Sequence, residues 1–145
     1  MELGEQDLYT YLEQQQQNLT IESKIKIMIQ ITQFISYLHS KNLIHRDIKP
    51  ENFIKVSDQF KLIDFGLTRK NQGRNTFVLI PEIVETSQNY TQAVDIWSLG
   101  CVYYEILTKS PLIEGKTESQ VKNIIKNLKT DNRYLKQIRI IARIR

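Results

Sequence analysis

A single cysteine, Cys101, and two histidines are all that the 145 residues offer of the softer metal ligands. That excludes an intrachain disulfide and a usual structural zinc site, and it fits a reducing, intracellular compartment, cytoplasmic or nuclear. Long apolar runs are lacking too. No basic start leads into an apolar stretch, and no run approaches the roughly 18 residues a membrane span needs, so neither a signal peptide nor a membrane partner is expected. The Asn18-Leu19-Thr20 and Asn89-Tyr90-Thr91 sequons then read as chance. Nothing repeats at a period of about 20 to 50 residues. The 20 basic and 16 acidic residues give +4, but residues 116–145 hold nine Lys and Arg against two acids, which leaves the remainder at −3. Because Ile and Leu are interleaved there at helical spacing, with no run of adjacent cations, this stretch reads as a solvated helix face, and nucleic acid is not expected as a partner.

What is present is enough apolar material, 41% of the chain, for the core of one domain or one lobe. Leu8, Tyr11 and Leu12 predict a short amphipathic helix over 7–16. Ile21, Ile25, Met28, Ile29, Phe34, Ile35 and Leu38 predict a long helix over 21–39, buried over much of its circumference, with Thr20 as N-cap and Ser40-Lys41-Asn42 as its exit. Residues 53–56 and 60–63 read as two strands around Ser57-Asp58-Gln59. Residues 67–80 show no periodicity and read as a loop. A helix over 91–107 is apolar nearly all round, the pattern of a helix through the middle of a domain, and Ser110-Pro111 stops it. A weaker helix is expected over 117–128.

The chemistry-bearing residues lie between the first long helix and that central one. His45-Arg46-Asp47-Ile48-Lys49-Pro50-Glu51-Asn52 is followed, across the strand pair, by Asp64-Phe65-Gly66. Each motif alone is common; in this order, joined by a hairpin, they resemble the catalytic loop and metal-binding motif of the eukaryotic protein kinases. The resemblance implies an α+β, mainly α fold, a protein-kinase-like C-terminal lobe with a small catalytic-loop hairpin. It implies ATP as co-substrate and Mg²⁺ as metal. Asp47 would accept or orient the proton of the substrate hydroxyl and Lys49 would sit beside the γ-phosphate, while Asn52 and Asp64 would hold Mg²⁺. Asp47-x-Lys49-Pro50-Glu51-Asn52 is closer to the Ser/Thr-directed enzymes than to the tyrosine-directed ones, so a protein carrying Ser or Thr is the expected substrate. His45 and Phe65 resemble a stacked pair of the kinase core, with Gly66 following. Asp95 matches the acid that accepts backbone hydrogen bonds from the catalytic loop, and Ile54 resembles an apolar residue beneath the adenine ring. Residues 1–3 resemble the hinge, and Asp7 is expected near the ribose edge.

The chain also departs from the family pattern. Pro81-Glu82 resembles the end of the activation segment, but Ile80 stands where Ala is usual and the segment is short. Arg46 would grip a phosphorylated loop, with Thr68 and Thr76 as the hydroxyls before Pro81. Glu82 would pair with a C-terminal Arg whose signature is missing. No Gly-x-Gly-x-x-Gly and no strand lysine precede Asp47. The expected organisation is therefore a partial kinase domain over 1–128, with the smaller N-terminal lobe missing and the C-terminal helices incomplete, and a divergent basic helical tail over 129–145. Such a chain is a Ser/Thr protein kinase by family and a poor enzyme alone. It would be either a fragment of a longer kinase or a catalytically inactive kinase-like binding module that engages a partner kinase.

Overall fold

The computed structural model describes residues 5–15, 18–70, 91–115 and 117–128. Asp7 ends a short strand, β1 (Gln6–Asp7), and caps the helix after it, α1 (Leu8–Gln14). Both its oxygens serve the first turn: Oδ1 accepts from Thr10 N at 2.8 Å and Oδ2 from the Thr10 hydroxyl at 2.9 Å, which satisfies an amide that the helix itself leaves unpaired. The long helix α2 (Ile21–Ser40) starts as its sequence predicts, with Thr20 Oγ1 accepting from Ser23 N at 3.2 Å, and it leaves through Asn42 in a left-handed turn at φ 57°.

The buried face of α2 is narrower than its sequence suggests: of the expected residues Ile35 and Leu38 are buried and Met28 and Phe34 pack beside them. Ile27, Ile31, Ile35 and Leu38 enter the core, whereas Ile21, Ile25 and Ile29 form a second aliphatic stripe on a different side, with Ile29 53% exposed. Two stripes about a third of a turn apart satisfy helical periodicity equally well, and only the packing partner selects between them. The selected face meets Leu8 from α1, Phe53, Phe60 and Leu62 from the hairpin, and Leu99, Val102 and Ile106 from the later helix.

After α2 come β2 (Leu43–Ile44), a 3₁₀ turn (Pro50–Asn52), and the hairpin β3 (Phe53–Val56) and β4 (Gln59–Leu62). Proline begins the 3₁₀ turn because its missing N–H is one that no helical bond would use. Gln59 pairs with Val56, so the turn holds only Ser57 and Asp58, with Ser57 at φ 54°. Glu5 braces that turn: it accepts from Ser57 N at 3.2 Å and pairs with Lys55, whose ammonium also reaches Ser57 O at 2.6 Å. β1 adds to the hairpin antiparallel, giving the sheet order β1-β3-β4. A second 3₁₀ turn (Phe65–Leu67) leads to β5 (Arg69–Lys70), which pairs antiparallel with β2. The expected loop over 67–80 is thus corrected at its start. A two-residue strand carries no periodic signal and exists only through its partner.

The third helix, α3 (Ala93–Thr108), begins two residues later than expected and ends at Lys109, which adopts a left-handed cap at φ 64° and donates to Glu105 O at 2.8 Å. Val94, Leu99, Val102 and Ile106 are buried, but Ile96 is 55% exposed. Ile96, Trp97, Cys101, Leu107 and Leu112 line a groove of about 630 Å³ with Met28 of α2. Among the described residues, α3 is therefore covered on one side only, which corrects its expected burial all round. α4 (Glu118–Asn127) follows, with Thr117 Oγ1 accepting from Gln120 N at 3.3 Å. The described residues are mainly helical with a small sheet, as the resemblance implies.

Candidate active site

The loop that carries Asp47 is held from below by one carboxylate. Asp95 sits in the first turn of α3 with no exposed surface. Its Oδ2 accepts from His45 N at 2.9 Å and its Oδ1 from Arg46 N at 2.8 Å. Arg46 adopts φ 70°, a left-handed conformation that costs a non-glycine residue on the order of 1 kcal/mol. Two charge-assisted bonds to consecutive amides offset that cost and turn the chain so that Asp47 leaves the core. A third bond, from the His39 ring Nε2 to Asp95 Oδ2 at 2.9 Å, ties in the last turn of α2. Sequence reasoning missed His39 because nothing local marks a polar residue at a helix exit as the partner of a carboxylate on another helix.

Asp47, Lys49 and Asn52 converge within this loop. Lys49 Nζ lies 2.9 Å from Asp47 Oδ2. Asn52, only 6% exposed, donates through Nδ2 to the Asp47 backbone oxygen at 2.7 Å and to Asp47 Oδ2 at 2.9 Å. Burial pulls the Asp47 carboxyl upward, but the bonds from Lys49 and Asn52, with the nearby positive charge, outweigh it and hold the group below its ordinary value of 3.8. Asp47 reciprocates: its bond, countering the effect of burial, raises the Lys49 ammonium above its ordinary value, with smaller help from Glu51 and Asp64. The site thus keeps a carboxylate and an ammonium side by side near neutral pH.

Asp64 reaches the same region along the hairpin. Ile63 N donates to Asn52 O at 2.8 Å, which joins the strand end to the loop. Asp64 itself is left-handed, at φ 59° and ψ 70°, and its Oδ1 accepts from Gly66 N at 3.2 Å. A Cβ at Gly66 would lie 3.1 Å from that same oxygen, so the turn that aims Asp64 leaves little room for a side chain. Phe65 packs edge-on against His45 with centroids 5.5 Å apart, while 52% of it stays exposed. The His45 Nε2 faces Ile63 O at 3.2 Å. Arg46 is buried and donates from Nε and Nη2 to Leu67 O at 2.8 and 2.5 Å.

Other expected site residues separate into three groups. Ile54 is half-buried on β3, opposite Lys61 and Asp7. Asp7, expected at a ribose edge, uses both carboxylate oxygens to cap α1. Glu82, Thr76, Pro81, the hinge-like residues 1–3 and the tail 129–145 lie outside the described residues.

The donor set suits Mg²⁺. The Asn52 amide nitrogen is already committed to Asp47, which leaves its carbonyl oxygen as the donor atom, and Asp64 adds a carboxylate; hard oxygen donors are what that cation prefers. Among the described residues no three His, Cys, Asp or Glu side chains gather into a metal site. Mg²⁺ is commonly held by one or two carboxylates together with substrate phosphates. No helix among the described residues is long and apolar enough to cross a membrane.

Comparison with known proteins bears on the family and the fold. A family model described as the protein kinase domain matches residues 1–141. Mitogen-activated protein kinase 10 of Arabidopsis thaliana is 37% identical over 126 residues, which is 81% of this chain and 32% of that protein. The cyclin-dependent kinase 4 homolog of Caenorhabditis elegans is 33% identical over 140 residues, 90% of this chain and 34% of that protein. In fold, the chain resembles a crystal structure of the yeast RNA Pol II CTD kinase CTDK-1 complex, with a TM-score of 0.75 at 24% identity, over 84% of this chain and 43% of the other. The chain spans about a third of the length of the curated relatives it matches.

Proposed function

The chain belongs to the protein kinase family, and from that membership we propose that its site serves transfer of the ATP γ-phosphate to a Ser or Thr hydroxyl of a protein. The observation that carries the proposal is the convergence of Lys49 and Asn52 on one oxygen of Asp47, 2.9 Å from each. With Oδ2 so engaged, the other oxygen is left to face a substrate hydroxyl and take its proton as the oxygen attacks. Lys49 holds an ammonium where negative charge grows on the transferring phosphoryl group. Asn52 and Asp64 would hold Mg²⁺, which when bound neutralises phosphate charge. The Ser/Thr assignment rests on Lys49 two positions after Asp47.

The 145 residues contain no Gly-x-Gly-x-x-Gly and no strand lysine before Asp47, so transfer by this chain alone is expected to be slow. The test has two readouts on the full chain. The first is transfer of labelled γ-phosphate to a generic Ser/Thr protein substrate, which Asp47→Asn should reduce by about 100-fold or more. Product on tyrosine, or product insensitive to that change, would overturn the reading. The second is paramagnetic broadening by Mn²⁺ and ATP, expected first at Asn52 and Asp64 and abolished by Asp64→Asn. Broadening without transfer would favour the kinase-like binding module, and neither response would remove the site altogether.

A further inference from the structure

Two cross-strand pairs join the start of the catalytic loop to the residues after Asp64-Phe65-Gly66. β2 and β5 pair Leu43 with Lys70 and Ile44 with Arg69. Two positions further along, Arg46 reaches Leu67 O through Nε and Nη2. His45 on one segment and Thr68 on the other lie between these contacts, and the antiparallel register carried one position past the paired strands would set them opposite each other and on the same face. Both carry an orphan: His45 Nδ1 and Thr68 Oγ1 are the two buried side-chain polar atoms without a hydrogen-bond partner among the described residues. His45 has no exposed surface. A buried polar atom left unpaired is costly, and native proteins satisfy nearly all of them with protein or ordered water.

We propose that Thr68 is a positioning residue for the catalytic loop, its hydroxyl bridged to His45 Nδ1 through one buried water. The two atoms make no direct hydrogen bond, and a single water between facing polar groups satisfies both. The bridge sets the tautomer. Ile63 O accepts from Nε2, so Nδ1 is the accepting nitrogen and the water donates to it. The imidazole is thereby fixed at both nitrogens, and its face receives the edge contact with Phe65. The consequence is a second tie between the two motifs, independent of Asp95: the loop carrying Asp47 and the segment following Asp64 are locked through one side chain. Thr68, read from sequence as a hydroxyl available for phosphorylation, would instead be committed inward.

The experiment compares Thr68→Val, which keeps the shape and removes the hydroxyl, with Thr68→Ser, which keeps it. Uniform ¹⁵N-histidine labelling of the full chain gives signals from only two rings, distinguished by a His39→Asn control. The expected result is a melting temperature lower by about 4 °C or more in Thr68→Val, near-parental stability in Thr68→Ser, and a His45 Nδ1 resonance displaced toward the free-imine position in the valine variant alone. A valine variant as stable as the parent or more so, as expected if an idle buried hydroxyl were removed, overturns the proposal. So does an unmoved Nδ1 resonance, whatever the stability. If the valine variant does not fold, the parent decides. A Nδ1 signal upfield of the free-imine position, with exchange contact to water, supports the bridge, and a free-imine signal rejects it.

Discussion

Asp95 shows how much one side chain can organise. It is wholly buried, and it bonds the amides of His45 and Arg46 and the His39 ring. Replacing it with Ala would leave two backbone N–H groups without an acceptor, and we expect a loss of about 3 kcal/mol in urea unfolding. A loss below about 1 kcal/mol would mean that water replaces the carboxylate. Asp47 makes a different prediction, in pH. Its folded carboxyl titrates below the ordinary 3.8, so its share of stability is present above that value and is lost as pH falls through the lowered folded value. Lys49→Met removes the strongest of the lowering bonds and should move the Asp47 titration upward in a carboxyl ¹³C NMR experiment. A parent chain that already titrates at 3.8 or higher would contradict the ion pair. Asp47, Lys49, Asn52, Asp64 and Asp95 were all legible as candidates, because the motif order names them. Their partners were less so: His39 stands 56 positions from Asp95, and local preferences do not encode such a contact.

Among the elements, starts and stops were easier to read than faces. Thr20 caps α2 as its sequence indicates, and Thr20→Ala should cost about 1 kcal/mol in thermal or urea unfolding. The choice between the two aliphatic stripes of α2 was not legible, since both have helical spacing. The structure places Ile25 and Ile29 outside, so an Ile25→Lys, Ile29→Lys double variant should unfold within about 0.5 kcal/mol of the parent. A much larger loss would show that something covers this stripe. The hairpin is fastened to α2 by Gln30, whose amide donates to Asp58 O at 2.9 Å and accepts from Phe60 N at 3.2 Å. Gln30→Ala removes both bonds and should speed hydrogen exchange at Phe60 by roughly tenfold, the equivalent of about 1.4 kcal/mol. The strand β5 was invisible in sequence because its two residues are ordered by β2 rather than by any pattern of their own.

At the scale of the whole molecule, the central helix divides, among the described residues, a packed side from an open one. Cys101 lies on the open side, lining the groove with Trp97 and Leu107, and burial pushes its thiol up to about 11. Its reaction with a thiol reagent at pH 8 should run about 100-fold or more slower than that of an unfolded control, since the thiolate is the nucleophile. A rate near the unfolded one would mean that the groove opens readily. By itself the sequence determined the family and the order of the candidate site's parts, because its motifs lie in one short stretch and their spacing is local information. It also determined where α1, α2 and α4 begin, since capping is a contact between residues three apart. Only the tertiary structure decided which face of α2 is buried, that α3 is covered on one side among the described residues, that His39 joins Asp95, and that His45 and Thr68 each bury a polar atom without a partner among the described residues. Each of those depends on elements far apart in the chain arriving side by side, where burial and hydrogen-bond satisfaction, rather than periodicity, select the arrangement.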